Sequence, residues 1–257
     1  MTARLAASRI LLACLLAGFL STCAGSSVNR KKEAEARVQM GVTYLGQRNL
    51  PMAMRELKRA DELDPGNPET EMMLGLTYQA RGDLAKAEEY LRGALDRKPD
   101  YADARNNLGI VLANQKRWDE AAREFEAAAG NVLYTTPEWA YYNLGEVERM
   151  RKEPARAEDA YRRSLRTNER YAPAYVGLSA VLGERGKWDE AAAVLARCVQ
   201  LLPDYAPGWM ELGRVNVRLK RPGDAANDFN RVLAVSSDPE LRKQAAGYLA
   251  VLQGGKP

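Results

Sequence analysis

The feature that most limits what this chain can fold into is a self-similarity at a fixed period. Met40-Gly41, Leu74-Gly75, Leu108-Gly109, Leu144-Gly145, Leu178-Ser179 and Leu212-Gly213 recur at spacings of 34, 34, 36, 34 and 34 residues. Other columns keep the same period. A small residue stands at Ala53, Ala87, Ala121, Ala157, Ala191 and Ala225, and a large apolar one four positions later at Leu57, Leu91, Phe125, Tyr161, Leu195 and Phe229. Tyr44, Tyr78, Leu112 and Leu182 follow the glycine or serine by three residues, whereas Glu148 and Asn216 break that column. A spacing of four puts the small and the large residue on one helical face. The small residue lets two backbones approach and the large one fills the gap to the next unit. Pro65, Pro99 and Pro203 close three units, because proline has no amide with which to extend a helix. One unit of this length cannot bury its apolar face alone, so a stack of units builds one continuous core.

These columns resemble the tetratricopeptide repeat, whose pattern is W-x₂-L-G-x₂-Y…A-x₃-F…P. The resemblance implies an all-α superhelix of six helix-turn-helix units at 34–67, 68–101, 102–137, 138–171, 172–205 and 206–238. Turn residues such as Arg81-Gly82-Asp83 and Arg185-Gly186-Lys187 separate the paired helices. Residues 239–253 are amphipathic and read as the capping helix that such arrays need, followed by a tail to Pro257.

Composition removes whole classes of chemistry. The 257 residues contain no histidine. That deletes the commonest general base, the Ser-His and Cys-His couples and most zinc sites. No phosphate loop or metal cluster is legible, so a binding role is expected and an enzyme is not. No cofactor is expected. Carboxylate pairs such as Asp119-Glu120 and Asp189-Glu190 stand at helix starts, where they complement the helix dipole. The net charge of +4 falls to +2 without the first 22 residues, too weak a balance to argue for nucleic acid. Cys198 falls in a column occupied by Ala60, Ala94 and Ala128, as a small core residue would.

Residues 1–22 read as a secretory signal. Arg4 and Arg9 form the positive region, and residues 10–20 (ILLACLLAGFL) the apolar one, too short to span a bilayer as a helix. Leu20-Ser21-Thr22-Cys23 resembles the bacterial lipobox, with Thr22 departing from the usual glycine or alanine. Leu11-Leu12-Ala13-Cys14 competes but leaves almost no apolar region after Arg9. The resemblance implies cleavage before Cys23, diacylglycerol on its thiol and a tether over 23–33. Ala24, where an aspartate would favour inner-membrane retention, implies the outer membrane, with the periplasmic side expected. An ordinary signal cut near Ala24 or Gly25, or an uncleaved anchor, is the alternative. Arg30-Lys31-Lys32 reads as solvated tether or as a weak attraction to anionic lipid.

Side chains that the repeat does not require carry the partner information. In this repeat family the first helices line a concave groove, into which the second, fifth, ninth and twelfth positions point. Here these are Val38, Val42 and Leu45, then Met72 and Leu76, then Asn106 and Ile110, then Trp139, Tyr142 and Arg149. Val176, Ala180, Met210, Arg214 and Val217 continue the series. An apolar groove marks a partner site, suited to an amphipathic helix or an extended apolar segment. The Lys/Asn/Arg clamp with which some family members hold a C-terminal carboxylate is absent from the first units. Trp118 and Trp188 open second helices in matching units and read as packing.

One junction is irregular. Between the third and fourth units the sequence runs two residues longer, as Asn131-Val-Leu-Tyr134-Thr-Thr136-Pro137-Glu138-Trp139-Ala140-Tyr141-Tyr142-Asn143-Leu144-Gly145. It is similar to N-x-L-Y-x-T-P-E-x-A-Y-x-N-L-G of the type IV pilus biogenesis lipoproteins, the pilotins of the PilF/PilW/Tgl kind. That resemblance implies a lipid-anchored adaptor that binds secretin subunits and promotes their assembly at the outer membrane. A lipoprotein scaffold for other envelope machinery, such as cell-wall synthases or hydrolases, is the alternative.

Overall fold

The computed structural model describes residues 28–254. The signal segment, Cys14, Cys23 and residues 255–257 lie outside the described residues. Every regular element described is a helix. A helix α1 runs through residues 28–46. It is followed by α2 (Leu50–Leu63), α3 (Pro68–Ala80), α4 (Leu84–Arg97), α5 (Ala102–Asn114), α6 (Trp118–Ala129) and α7 (Pro137–Met150). Then come α8 (Pro154–Thr167), α9 (Ala172–Glu184), α10 (Trp188–Leu201), α11 (Ala206–Arg218), α12 (Pro222–Val235) and α13 (Pro239–Leu252). Among the described residues no helix is long and apolar enough to cross a membrane. Of the segment 23–33 expected as a tether, residues 28–33 belong to α1 and the rest lies outside the described residues.

The chain forms two compact units, one ending at Val111 and the other starting at Leu112. In the first, Leu57, Leu74, Leu91 and Leu108 are fully buried with Ala53 and Ala87. The repeated glycine serves close approach. A Cβ on Gly41 would stand 2.6 Å from Leu57, and one on Gly75 2.8 Å from Leu91.

The second unit repeats the device with larger side chains. One core cluster joins Ala157, Tyr161, Leu178, Leu182, Ala191, Leu195 and Leu212, and another joins Met210, Ala225, Phe229 and Val232 to Ala245 and Leu249 of α13. So α13 covers the apolar face that α11 and α12 leave open. Tyr161 shows how the pattern adjusts to size. A Cβ on Gly145 or on Gly177 would each meet its ring at 2.6 Å, so two glycines flank the one tyrosine in the large-residue column. Cys198 is fully buried, and burial pushes its thiol up to about 11.

Each first helix ends in the same way. The residue two places before the second helix is left-handed: Arg48, Gly82, Lys116, Lys152, Gly186 and Lys220, with φ between 57° and 83°. The next amide reaches back to the carbonyl five residues earlier, for example Arg117 N to Leu112 O at 2.9 Å and Glu153 N to Glu148 O at 2.9 Å. This is the long-range bond of a Schellman cap, which satisfies carbonyls that the helix cannot. Along these turns in the second unit, ion pairs join one repeat to the next: Arg151 to Asp119 at 2.8 Å, Arg221 to Asp189 at 2.6 Å, and Arg185 to Glu158.

Candidate partner-binding surface

The residues expected in the groove divide largely by position, although Tyr142 and Val176, at the fifth position, are half-buried. Val38, Met72, Asn106 and Met210, all at the fifth position, are buried, which corrects the expectation that they offer surface to a partner. Each lies three residues before the glycine or its column equivalent and so shares the face that packs against the second helix. At the ninth and twelfth positions the first unit keeps partial exposure: Val42 is 37% exposed, and Leu45, Leu76 and Ile110 are half-buried. Met40, absent from the expected set, is exposed as well.

In the second unit Met150, Val217 and Val251 are exposed one by one, and the irregular junction exposes several apolar side chains in one short segment. Asn131 builds it. Its side-chain oxygen accepts from the Leu133 amide at 2.8 Å, and its carbonyl accepts from the Tyr134 amide at 3.0 Å. This tight turn faces Tyr134 inward and leaves Val132 95% and Leu133 77% exposed. An asparagine closing a turn on its own backbone is the ordinary use of that residue; two aliphatic side chains at the tip are not an ordinary outcome. Pro137 then opens α7, where fixed φ and a missing amide cost nothing.

Trp139, on the first turn of α7, remains 52% exposed. Its ring lies 6.3 Å from that of Tyr171, which meets Tyr142 edge-on at 5.6 Å, and Tyr142 lies 5.9 Å from Tyr161. Aromatic pairs at such separations favour tilted and edge-on geometry. The row therefore runs from a half-exposed indole to a fully buried phenol. Burial pushes Tyr171 up to about 12 and raises Tyr142, so both stay neutral donors. Tyr161 donates to Glu146. Arg149 is held in ion pairs, to Glu184 at 3.0 Å and to Glu146 at 3.7 Å. It is a tied cation on α7 and not a free one.

The junction segment thus exposes Val132, Leu133 and Trp139, with Tyr171 packed on Trp139 and Tyr142 behind it. Of these, the sequence reading names the segment, Trp139 and Tyr142. It missed Val132 and Leu133, although the signal was present: two aliphatic residues in an insertion that no column of the repeat requires. Cys23 lies outside the described residues.

Comparison with known proteins bears on the scaffold. A tetratricopeptide repeat family model matches residues 72–132 and 179–240. The type IV pilus assembly protein PilF of Pseudomonas aeruginosa is 32% identical over 139 residues, which are 54% of this chain and 55% of PilF. An uncharacterized protein of Haemophilus influenzae is 30% identical over 109 residues, 42% of this chain and 61% of that protein. The chain thus spans a little over half the length of these relatives. Among solved structures, Pseudomonas aeruginosa PilF superposes with a TM-score of 0.71 at 24% identity, covering 85% of this chain and 99% of that one. PilW, described as a widely conserved type IV pilus biogenesis factor, gives 0.70 at 22% identity over 82% and 97%. At such identities the likeness is one of fold. By its repeated helix pairs, the residues matched by the repeat model and the shared architecture, the chain folds as an array of tetratricopeptide repeats.

Proposed function

We propose that this chain is an outer-membrane lipoprotein adaptor, a pilotin, which binds secretin subunits and promotes their localisation and assembly in type IV pilus biogenesis. In this reading Cys23 carries diacylglycerol and acyl chains that hold the protein on the periplasmic side of the membrane. Several acyl chains suffice for stable anchoring at ~0.8 kcal/mol per buried CH₂. The repeats act by burying a partner's apolar segment, with no chemistry of their own. The observation that carries the reading is the exposure of Val132, Leu133 and Trp139, all in the segment similar to the pilotins. Sequence similarity to a type IV pilus assembly protein supports it.

The test replaces Val132 and Leu133 with aspartate, and Trp139 with alanine, in the full-length protein in its own cells. Secretin multimers on a gel and pilus number are the readouts. Truncating a central aromatic anchor typically costs 2 kcal/mol or more, about thirtyfold in affinity, so multimers should fall sharply while protein level holds. Normal multimers and pili in the triple variant, or in a strain lacking the protein, would sink the proposal.

A further inference from the structure

Four carboxylates are buried to 6% exposure or less: Glu56, Glu148, Glu158 and Asp228. Three have a cation. Arg37 and Arg55 each reach Glu56 at 2.8 Å, Arg151 reaches Glu148 at 2.8 Å, and Arg162 and Arg185 both reach Glu158. Asp228 has none. Asn216 Nδ2 donates to its Oδ2 at 2.7 Å, and among the described residues no other hydrogen bond and no ion pair reaches the carboxyl. Taking a charge out of water without a partner is costly. The other three positions show how this chain ordinarily deals with that cost.

Asp228 is also one wall of a cleft of about 480 Å³ lined from α10, α11 and α12. Ala192, Ala193 and Ala196 of α10 line the same cleft with methyl groups. Of the remaining charged groups there, Asp189 is held by Arg221 at 2.6 Å. Asp224 is exposed at the rim with no ion pair. The cleft is therefore short of positive charge by two, one deficit buried and one at the mouth. Burial together with Asp224 raises the Asp228 carboxyl, against the Asn216 bond, to about 6, the direction expected of a carboxylate without a counter-charge. A metal ion does not suit the place, because no group of three ligating side chains exists among the described residues.

We propose that this cleft receives a lysine or arginine side chain of a protein partner, whose head completes Asp228 and Asp224 while its methylene stem lies along Ala192, Ala193 and Ala196. Long cationic side chains bury their stems on apolar surface and keep the head at a polar group. The site lies on other elements than the junction surface and rests on no part of the pilus reading. It adds a second docking point, for a basic segment.

The experiment is an NMR titration of the isotopically labelled full-length protein with the acetylated, amidated tripeptide Ala-Lys-Ala, and in parallel with putrescine and ammonium chloride at matched ionic strength. Saturable shifts at Ala192, Ala193, Ala196, Asp224 and Asp228, with millimolar affinity for the tripeptide, are expected. Asp228→Asn keeps the acceptor for Asn216 and should weaken the tripeptide at least tenfold. Ala196→Leu fills the cleft without touching a charge and should do the same. Absence of saturable shifts, or equal shifts with ammonium chloride, overturns the proposal. Tighter binding of putrescine than of the tripeptide assigns the cleft to a free polyamine and overturns it as well. Unchanged binding in both variants does so too.

Discussion

Asp228 joins a buried carboxyl to a neutral amide, and the physics of that pair fixes how the fold responds to pH. Its carboxyl titrates near 6 in the fold and near ~3.9 in an unfolded chain. Between those values the folded state holds a proton that the unfolded state has released. Stability therefore falls as pH rises through that window and levels off above it. The expected outcome is a urea midpoint higher at pH 4.5 than at pH 7, with Asp228→Asn flattening the slope and raising stability at pH 7 by on the order of 1–2 kcal/mol. Burial raises Glu148 and Glu71 as well, so some slope persists in the variant. An unaltered slope in Asp228→Asn would show that the carboxyl titrates normally. The sequence marked Asn216 and Glu148 as breaks in the tyrosine column but did not show what mends them. In the second repeat the position holds Tyr78, stacked on Tyr90 at 5.3 Å. In the sixth, the same pair of positions holds Asn216 and Asp228. The substitution is paired across two helices, and a single column read alone hides it.

Among the elements, the helix ends carry the least legible feature. Gly82 and Gly186 announce left-handed turns, but Arg48, Lys116, Lys152 and Lys220 adopt the same conformation without a turn residue's signature. Repetition imposes the conformation, since every first helix must hand over to its partner through the same cap. A non-glycine residue there costs about 1 kcal/mol. Replacing Lys152 or Lys220 with glycine should recover ~0.5 kcal/mol each, after the extra freedom of glycine in the unfolded chain is set against it. A raised denaturant midpoint at constant slope is the measurement; an unchanged or lowered midpoint would mean that the cap holds lysine without strain. The helix registers themselves were readable because the small and large columns reflect direct contacts, such as Gly41 with Leu57. The fifth position was misread for the same reason. Counting along a helix gives the angle of a side chain, but not whether a neighbouring helix stands over it. Val38 and Met72 are covered, whereas Val42, one turn further, is not.

At the scale of the whole molecule, stability runs from neighbour to neighbour, so the last repeat depends on what closes it. α13 supplies Ala245 and Leu249 to the cluster around Met210 and Phe229, and Tyr248 stacks on Phe229 at 4.7 Å. A chain stopped after Asp238 should lose about 2–4 kcal/mol from re-exposing those side chains. It should also scatter light at concentrations where the full chain stays clear. An unchanged melting temperature would mean that the sixth repeat stands without its cover. The junction belongs to this scale too: its extra two residues were legible as a lapse of the period, yet the outward aim of Val132 and Leu133 depends on the Asn131 turn, which no column of the repeat encodes. The buried thiol of Cys198, the one cysteine among the described residues, has a further consequence. Shut inside the fifth repeat and held in its protonated form at neutral pH, it reacts with a soluble alkylating reagent only while α10 is parted from its neighbours. The protein thus carries a built-in clock, in which the pace of alkylation counts the openings of the repeats around α10 and a docked partner that steadies them slows the count.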